Sequence, residues 1–275
     1  MSKSTCQVIT PQRHFFDFQW RQCWQRRQLL GALVARDLQV RYKNTFLGVA
    51  WAIIQPLLST LIFTLIFTKL MKFANSNNNY LIYTLIGFIL WQFCYNSLAA
   101  ASTSVYEQIG MVRKIYFPRI FLPLTVVLRC LVDLLITLTV LLAALYWQHL
   151  SLTPTAIFGF ALAVLTLTIF ITSMSFLLAA LNARWRDFRL LLPFILQIWF
   201  YATPVFYQSE LLADNLAWLI YLNPLSHFLI FARAAILEGE LLWGWWWPSL
   251  LISSLLFMIN TGIFKRLETQ IVDIA

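Results

Sequence analysis

Six long apolar runs, separated by shorter polar segments, dominate the sequence. They cover residues 49–70, 80–105, 120–147, 155–181, 190–207 and 241–264. A helix needs about 20 mostly apolar residues to cross the hydrocarbon core of a bilayer. The pattern therefore predicts an all-α integral membrane protein, with one transmembrane domain over residues 1–275 and six transmembrane helices. The fifth predicted span is the shortest.

A helical pattern also precedes the first apolar run. Residues 24–42 place Leu30, Leu33, Val34 and Leu38 at the spacing of one helix face, with arginines around them. This spacing predicts an N-terminal amphipathic helix along the inner membrane surface. Such a helix is either a simple membrane anchor or a collar at a cytoplasmic entrance.

The longest connection, residues 208–240, is too apolar for a solvated loop and is interrupted by Asn223 and Pro224. Irregular backbone at membrane depth is tolerated only where it is buried in protein. We therefore expect external re-entrant helices between spans 5 and 6, as two short helices that dip into the outer leaflet. A plain interfacial loop is the alternative.

The positive charges predict the orientation of the spans. Eight of the 20 Lys and Arg residues precede the first run, and 16 of the 20 fall on the same side of six alternating spans. Cytoplasmic segments carry an excess of Lys and Arg, so both termini are expected in the cytoplasm. The basic residues 1–45 lack an apolar core and are expected to be a retained cytoplasmic segment rather than a cleaved signal peptide.

Composition agrees with a membrane protein and excludes other classes. The chain is 60% hydrophobic and 11% charged, with a mean hydropathy of +0.73, more than a soluble domain can bury. The net charge of +9 does not indicate nucleic-acid binding, because the basic residues flank apolar runs and no recognition motif accompanies them. The four cysteines have no metal-binding or redox spacing.

Motifs for catalysis are missing from the sequence. It has no GxxxxGK[ST] phosphate loop, no GxGxxG and no HExxH, and its three histidines are scattered. We therefore expect a non-enzymatic chain with no catalytic residue, metal site or bound cofactor. If the protein transports actively, ATP and Mg²⁺ are expected to bind to a separate ATPase subunit.

A second cytoplasmic segment combines cations with aromatic rings, where an orientation signal needs only cations. Its candidate residues are Glu107, Arg113, Lys114, Tyr116, Phe117 and Pro118. Aromatic side chains beside cations are typical of segments that dock into a groove on another protein. We expect a short helix and turn here that bind a partner.

Two charged residues lie inside the third span. Arg129 and Asp133 are four residues apart, on one face of a helix. A lone charge in a bilayer is costly, whereas an in-helix ion pair partly cancels. We expect structural pairing or bundle packing rather than a proton relay, since a relay needs further acids in the membrane.

Three stretches together resemble a known transporter family. They are RDLQVRYKNTFLGVAWAIIQPLL (36–58), MVRKIYFPRIFLPL (111–124) and NPLSHFLIFARAAILEG (223–239). They resemble the permease subunits of ABC transporters of the ABC-2 type. The resemblance is greatest to permeases that export O-antigen or related lipid-linked polysaccharides, with teichoic-acid and capsule exporters as relatives.

The resemblance implies a homodimer in the bacterial cytoplasmic (inner) membrane, with two ATPase subunits beneath it and a pathway between the two copies. It implies that residues 107–118 are the coupling element that inserts into the ATPase. It likewise implies that residues 24–42 form the cytoplasmic interface helix and that residues 208–240 form the paired external re-entrant helices. The implied substrate is a lipid-linked polysaccharide.

An entrance and gate are expected where the first span begins. Their residues are Arg41, Lys43, Gly48, Trp51, Gln55 and Pro56. Arg41 and Lys43 can meet the pyrophosphate of a lipid carrier, and Gly48 permits close approach of a neighbouring helix. Gln55 and Pro56 place a polar group beside a bend in the helix.

The aromatic residues of the fifth span are candidates for the substrate path. Trp199, Phe200 and Tyr201 precede Pro204, which we expect to kink the span. A conduit for a moving polysaccharide needs many weak contacts, and aromatic rings supply them against the C–H faces of sugars. The alternative is an aromatic belt at the outer interface.

Two other functions compete with polysaccharide export. An ABC-2 permease for small molecules shares the architecture. A membrane-embedded glycan transferase needs acidic or histidine clusters at a membrane face, and the predicted external acids are dispersed along the chain.

Overall fold

The computed structural model describes residues 26–43, 48, 50–66, 79–108, 110, 118–185, 187–208 and 217–274. These residues form helices joined by turns, with no strand among them. The helices are α1 (Arg27–Lys43), α2 (Ala50–Leu65), α3 (Tyr80–Glu107), α4 (Phe121–Trp147), α5 (Pro154–Arg184), α6 (Phe188–Ala202), α7 (Ala217–Leu222), α8 (Pro224–Arg233) and α9 (Trp243–Ile274), with a π-helical turn at Ala234–Glu238.

Four helices are long and apolar enough to cross a membrane, namely α3, α4, α5 and the part of α9 from Trp243 to Leu267. They coincide with the second, third, fourth and sixth predicted spans. The first and fifth predicted spans fall on the shorter apolar helices α2 and α6. The chain is therefore an all-helical, multi-pass membrane protein, and the count of six spans stays a prediction.

Helix α5 is central to the bundle. It packs against α9 and α3, and α3 packs in turn against α4 and α2. Polar side chains join the buried helices, because an amide in an apolar interior needs a hydrogen-bond partner. Asn182 of α5 donates to the Ser102 carbonyl of α3 at 2.8 Å, and Asn260 of α9 donates to the Ser173 hydroxyl at 2.9 Å.

The outward faces of the long helices are apolar. Leu135 and Leu142 of α4, Leu165 of α5, and Leu251 and Leu255 of α9 are all exposed. In water such continuous exposure of leucine would be unfavourable. In a bilayer these faces contact lipid or another membrane helix, which agrees with the assignment of these helices as spans.

Helix α1 packs lengthwise against α4. In the first half of α1, Leu33 is buried in a cluster with Phe121 of α4, Phe176 and Phe264. Its last turn reaches Asp133, which lies 12 residues, or about 18 Å of helical rise, beyond Phe121. The predicted helix is therefore present, but it follows α4 inward rather than only lying across the end of the bundle.

Helix α6 ends earlier than the fifth predicted span, which corrects the expected kink at Pro204. The side chain of a proline pushes the preceding residue out of the helical region. Thr203 accordingly has an extended backbone (φ −103°, ψ 134°), so α6 ends at Ala202. The proline inside α6 is Pro193, and Pro204 lies in the turn that follows the helix.

The connection predicted to contain two short helices has α7 and α8, with Asn223 between them. The Asn223 side chain accepts a hydrogen bond from the Leu225 N–H at 3.1 Å and so caps α8, whose first residue is Pro224. Both residue types favour a helix start. Whether α7 and α8 re-enter the membrane stays a prediction.

Candidate functional site

Asp133, near the middle of the apolar helix α4, is held by the last turn of α1. It is only 7% exposed. The Tyr42 hydroxyl donates a hydrogen bond to its Oδ1, and the Arg41 guanidinium lies 3.4 Å from its Oδ2. A carboxylate at the centre of a membrane helix costs about 3 kcal/mol by insertion measurements, so these two partners explain how Asp133 is tolerated there.

The Tyr42 side chain remains the donor of this contact over the physiological pH range. Burial, followed by the hydrogen bond to Asp133, raises the pKa of Tyr42 well above its ordinary value of 10.0. A neutral phenol beside a carboxylate keeps its proton in the hydrogen bond. The contact between α1 and α4 is therefore not expected to be switched by pH near neutrality.

Polar side chains from α2 and α3 face the same place. Gln55 of α2, Gln92 and Asn96 of α3, and Arg41 and Asp133 line a cavity of about 20 Å³. A cavity of this size has room for about one water molecule. Gln92 Nε2 donates to Asn96 Oδ1 at 3.1 Å.

We call Arg41, Tyr42, Gln55, Gln92, Asn96 and Asp133 the polar junction. Its residues come from α1, α2, α3 and α4, and the cavity between them is too small to hold a sugar. Asp133 Oδ2 accepts no hydrogen bond from any described residue, although Arg41 is within ion-pair distance. The contacts of Arg41 and Tyr42 with Asp133 therefore join the end of α1 to the middle of α4.

The structure places Asp133 with Arg41 rather than with Arg129, which corrects the expected pair within α4. Among the described residues, the ion pairs within 4.0 Å are Arg41 with Asp133 and Arg36 with Asp37. The buried Arg129 Nε has no hydrogen-bond partner in the described part of the chain. Asp133 is reached by α1 because α1 runs alongside this part of α4, a long-range contact that helical spacing does not reveal.

The six predicted entrance and gate residues are only partly brought together. Arg41 and Gln55 belong to the polar junction. Lys43 is exposed at the end of α1, Trp51 is also exposed, and Pro56 is buried within α2.

Gly48 has a left-handed backbone. Its φ is +48°, and a Cβ added there would have the Tyr42 carbonyl oxygen, 3.8 Å away, as its nearest neighbour among the described residues. A left-handed backbone favours glycine whatever the space around it. The backbone of Gly48 thus accounts for a glycine at this position, and the close approach of a neighbouring helix stays a prediction.

The predicted coupling segment is described only at its two ends. Glu107 is the exposed last residue of α3, and Pro118 lies just before α4. Arg113, Lys114, Tyr116 and Phe117 lie outside the described residues. Arg36 of α1 donates to the Gln108 side chain at 3.1 Å, so α1 contacts the start of this segment as well as the polar junction.

The aromatic residues proposed for the substrate path differ in their surroundings. Phe200 lies 5.3 Å from Trp91 and 5.9 Å from Phe88, measured between ring centres, within the helix bundle. The Trp199 indole N–H donates to Asn223 Oδ1 at 3.0 Å. Tyr201 is 58% exposed, so its ring is the one of the three that is most accessible to a substrate.

A second polar site, which sequence reasoning missed, lies beyond the end of α6. Arg233 is 3% exposed, and its guanidinium donates to the carbonyl oxygens of Tyr83 at 3.1 Å, Pro204 at 2.6 Å and Val205 at 2.6 Å. The guanidinium carbon of Arg233, Cζ, lies 3.5 Å from the centre of the Tyr83 ring. Cation–π contact and three carbonyl dipoles thus replace the carboxylate that a buried arginine usually has.

Asn223 adds to this second site. Its amide donates to the Thr203 hydroxyl at 2.8 Å and to the Ala202 carbonyl at 3.3 Å. We call Asn223, Arg233 and the turn 202–205 the outer clasp, after the side of the membrane on which the charge pattern of the sequence predicts them. The sequence signal for it was an arginine ten residues after Asn223 in an otherwise apolar stretch, because such a residue needs a buried partner.

Comparison with known proteins adds evolutionary information to this geometry. A family model described as ABC-2 type transporter matches residues 28–237. The O-antigen export system permease protein RfbA of Klebsiella pneumoniae is 26% identical over 246 residues, which cover 90% of this chain and 94% of that protein. The protein of the same name from Myxococcus xanthus is 30% identical over 229 residues, covering 80% of this chain and 85% of that protein.

Proposed function

The chain belongs to the ABC-2 type transporter family, and from this premise we propose that it is the permease subunit of an ATP-driven exporter of lipid-linked, O-antigen-like polysaccharide. The observation that carries the proposal is its similarity to O-antigen export permeases along most of its length. Four helices that are apolar enough to cross a membrane support it.

We propose that the working assembly is a homodimer of this chain with two copies of an ABC ATPase subunit. ATP and Mg²⁺ would bind to the ATPase subunits, and the permease would perform no chemistry. The excess of basic residues on one side of the predicted spans supports an orientation with both termini in the cytoplasm. The membrane would be the bacterial cytoplasmic (inner) membrane.

The geometry supports a route for mechanical coupling through α1. In our proposal the ATPase contacts residues 107–118, including Glu107 and Pro118. Arg36 connects α1 to Gln108 at the start of this segment. The Leu33 side chain of α1 packs at the start of α4. Nine residues later, in the last turn of α1, Tyr42 and Arg41 contact Asp133 of α4. A movement of α1 would therefore reach the membrane helices directly.

In the same proposal, the substrate enters near Arg41 and Lys43 and passes aromatic rings of α6. Tyr201 is the best candidate for direct contact because its ring is exposed. Trp199 and Phe200 would support the wall of the substrate path without contacting the substrate, since their side chains contact other side chains of the protein.

Deletion of the gene tests the proposed function. We expect the deletion strain to lose its surface polysaccharide and to accumulate lipid-linked glycan on the cytoplasmic side of the membrane. Complementation with the intact chain should restore surface polysaccharide. Normal surface polysaccharide in the deletion strain would overturn the proposal.

The coupling assignment gives a separate prediction. Replacing Tyr116 and Phe117 together by alanine is expected to reduce co-purification of the ATPase subunit about tenfold or more, because aromatic anchors carry much of the energy of such interfaces. Membrane insertion should not change. Tyr146→Ala is the matched control, since that tyrosine is 84% exposed at the far end of α4. Equal ATPase recovery with the double variant and the wild type would remove the docking assignment.

A further inference from the structure

A cavity beside the outer clasp has no role in the function proposed so far. Its volume is about 420 Å³, within the usual range of ligand sites. Asn79, Tyr80 and Tyr83 line it from the start of α3, Gln208 lines it after α6, and Arg233 and Glu238 line it from α8 and the π-helical turn. The described lining residues thus come from three separate parts of the chain.

The tyrosine wall of the cavity is fixed in place. The rings of Tyr80 and Tyr83 are nearly parallel, at 13°, with 6.4 Å between their centres. Their hydroxyls donate to the carbonyl oxygens of Phe206 at 2.7 Å and Tyr207 at 3.0 Å. This wall is preorganised, so a ligand would not have to order it on binding.

The two amides are the groups best placed to recognise a ligand. Asn79 and Gln208 are half-buried, and neither side chain makes a hydrogen bond within the described part of the chain. Each amide offers two donors and one acceptor oxygen. Hydroxyl groups on neighbouring carbons of a sugar need such mixed partners, because each hydroxyl both donates and accepts.

The charges around the cavity favour a neutral polar ligand over an anion. Arg233 uses its guanidinium for three carbonyl oxygens, and it forms no ion pair with a described carboxylate. Glu238 is exposed at the same cavity and would repel an incoming anion. A polyhydroxyl ligand can instead donate to the Glu238 carboxylate.

We propose that this cavity is a carbohydrate-binding site that holds sugar units of the exported glycan on its exit side. The proposal rests on the function proposed above and deepens it by naming a second contact for the same substrate. Binding in this site would be weak, because a site that bound tightly would stall a moving polysaccharide. The site would reduce backward movement of the polysaccharide between cycles of ATP hydrolysis.

The test uses the complex of the full chain with its ATPase in lipid nanodiscs. The probe is a set of oligosaccharides released by mild acid from the surface glycan of the wild-type host, and binding is followed by saturation-transfer NMR. Replacing Asn79 and Gln208 together by alanine should weaken probe binding about tenfold, through loss of two sets of hydrogen bonds. Gln197→Ala, at an exposed amide on α6, is the matched control and should bind as the wild type does.

A second variant separates loss of the site from loss of the fold. Leu242→Trp narrows the same cavity without removing a polar group, and it should also weaken probe binding while the thermal unfolding temperature is retained. The proposal is overturned if the wild type does not bind the oligosaccharides, if both variants bind them normally, or if inorganic phosphate displaces them. Absence of binding together with loss of export on gene deletion would remove this site and leave the proposed function standing.

Discussion

Asp133→Leu is expected to reduce polysaccharide export about tenfold or more, while the ATPase subunit still binds and hydrolyses ATP. The substitution removes the acceptor of the Tyr42 hydroxyl and the counter-charge of Arg41, two contacts between the last turn of α1 and α4. Coupling energies between sites of about 1–3 kcal/mol correspond to changes of this size. The measurement compares surface polysaccharide in complemented cells with ATP hydrolysis by the purified complex.

Two companion variants identify which contact matters. Asp133→Asn keeps an oxygen that accepts from Tyr42 but loses the charge facing Arg41, so it should retain more export than Asp133→Leu. Tyr42→Phe removes only the hydrogen bond and should reduce export, whereas Tyr146→Phe makes the same chemical change at an exposed position and should not. Wild-type export by Asp133→Leu would remove the polar junction from the coupling route.

Gly87→Ala is expected to lower the stability of the folded chain by about 3–5 kcal/mol, the largest effect on stability among the variants considered. A Cβ at position 87 would collide with the Val205 carbonyl oxygen and with Nη2 of Arg233. Relief of that collision separates Arg233 from Val205, which leaves a buried cation with fewer partners. The outer clasp should therefore open before the rest of the bundle.

Buried thiols provide the readout for this stability prediction. Cys94 and Cys130 are buried, so a maleimide dye reaches them only on unfolding, once Cys6 and Cys23 are replaced by serine. Gly87→Ala should lower the unfolding temperature in this assay. Gly31→Ala is the matched control, since no described residue lies within 4 Å of the added methyl group and alanine favours helix by about 1 kcal/mol. Equal unfolding temperatures for the two variants would contradict the account of the clasp.

The positions of the long helices could be predicted closely from the sequence, because they depend on the length of each apolar run. Run 120–147 appears as Phe121–Trp147, and run 80–105 as Tyr80–Glu107. The fifth run was harder to delimit: its apolar residues continue past Ala202, but Pro204 ends the helix through the backbone of Thr203. Hydrophobicity does not report this local steric effect.

The polar junction and the outer clasp were less accessible to sequence reasoning. Arg129 stands one helical turn from Asp133, so helical spacing favours that pair, whereas the observed partner Tyr42 is 91 residues away. Arg233 donates to backbone carbonyl oxygens. Every residue has such an oxygen, so the sequence does not indicate which ones bind Arg233. In both cases an unexpected charge in an apolar stretch indicated that a partner exists, but only the packing of the helices identified it.

The most direct test of the central claim is transport by the purified complex. The chain and its ATPase subunit are placed in proteoliposomes with the ATPase facing outward and lipid-linked glycan in the outer leaflet, and the fraction of glycan protected from an added glycosidase is measured. The proposed function predicts that protection rises when ATP is added and that Asp133→Leu suppresses this rise. Equal accessibility of the glycan with and without ATP in the wild-type complex would contradict the claim that this chain exports it.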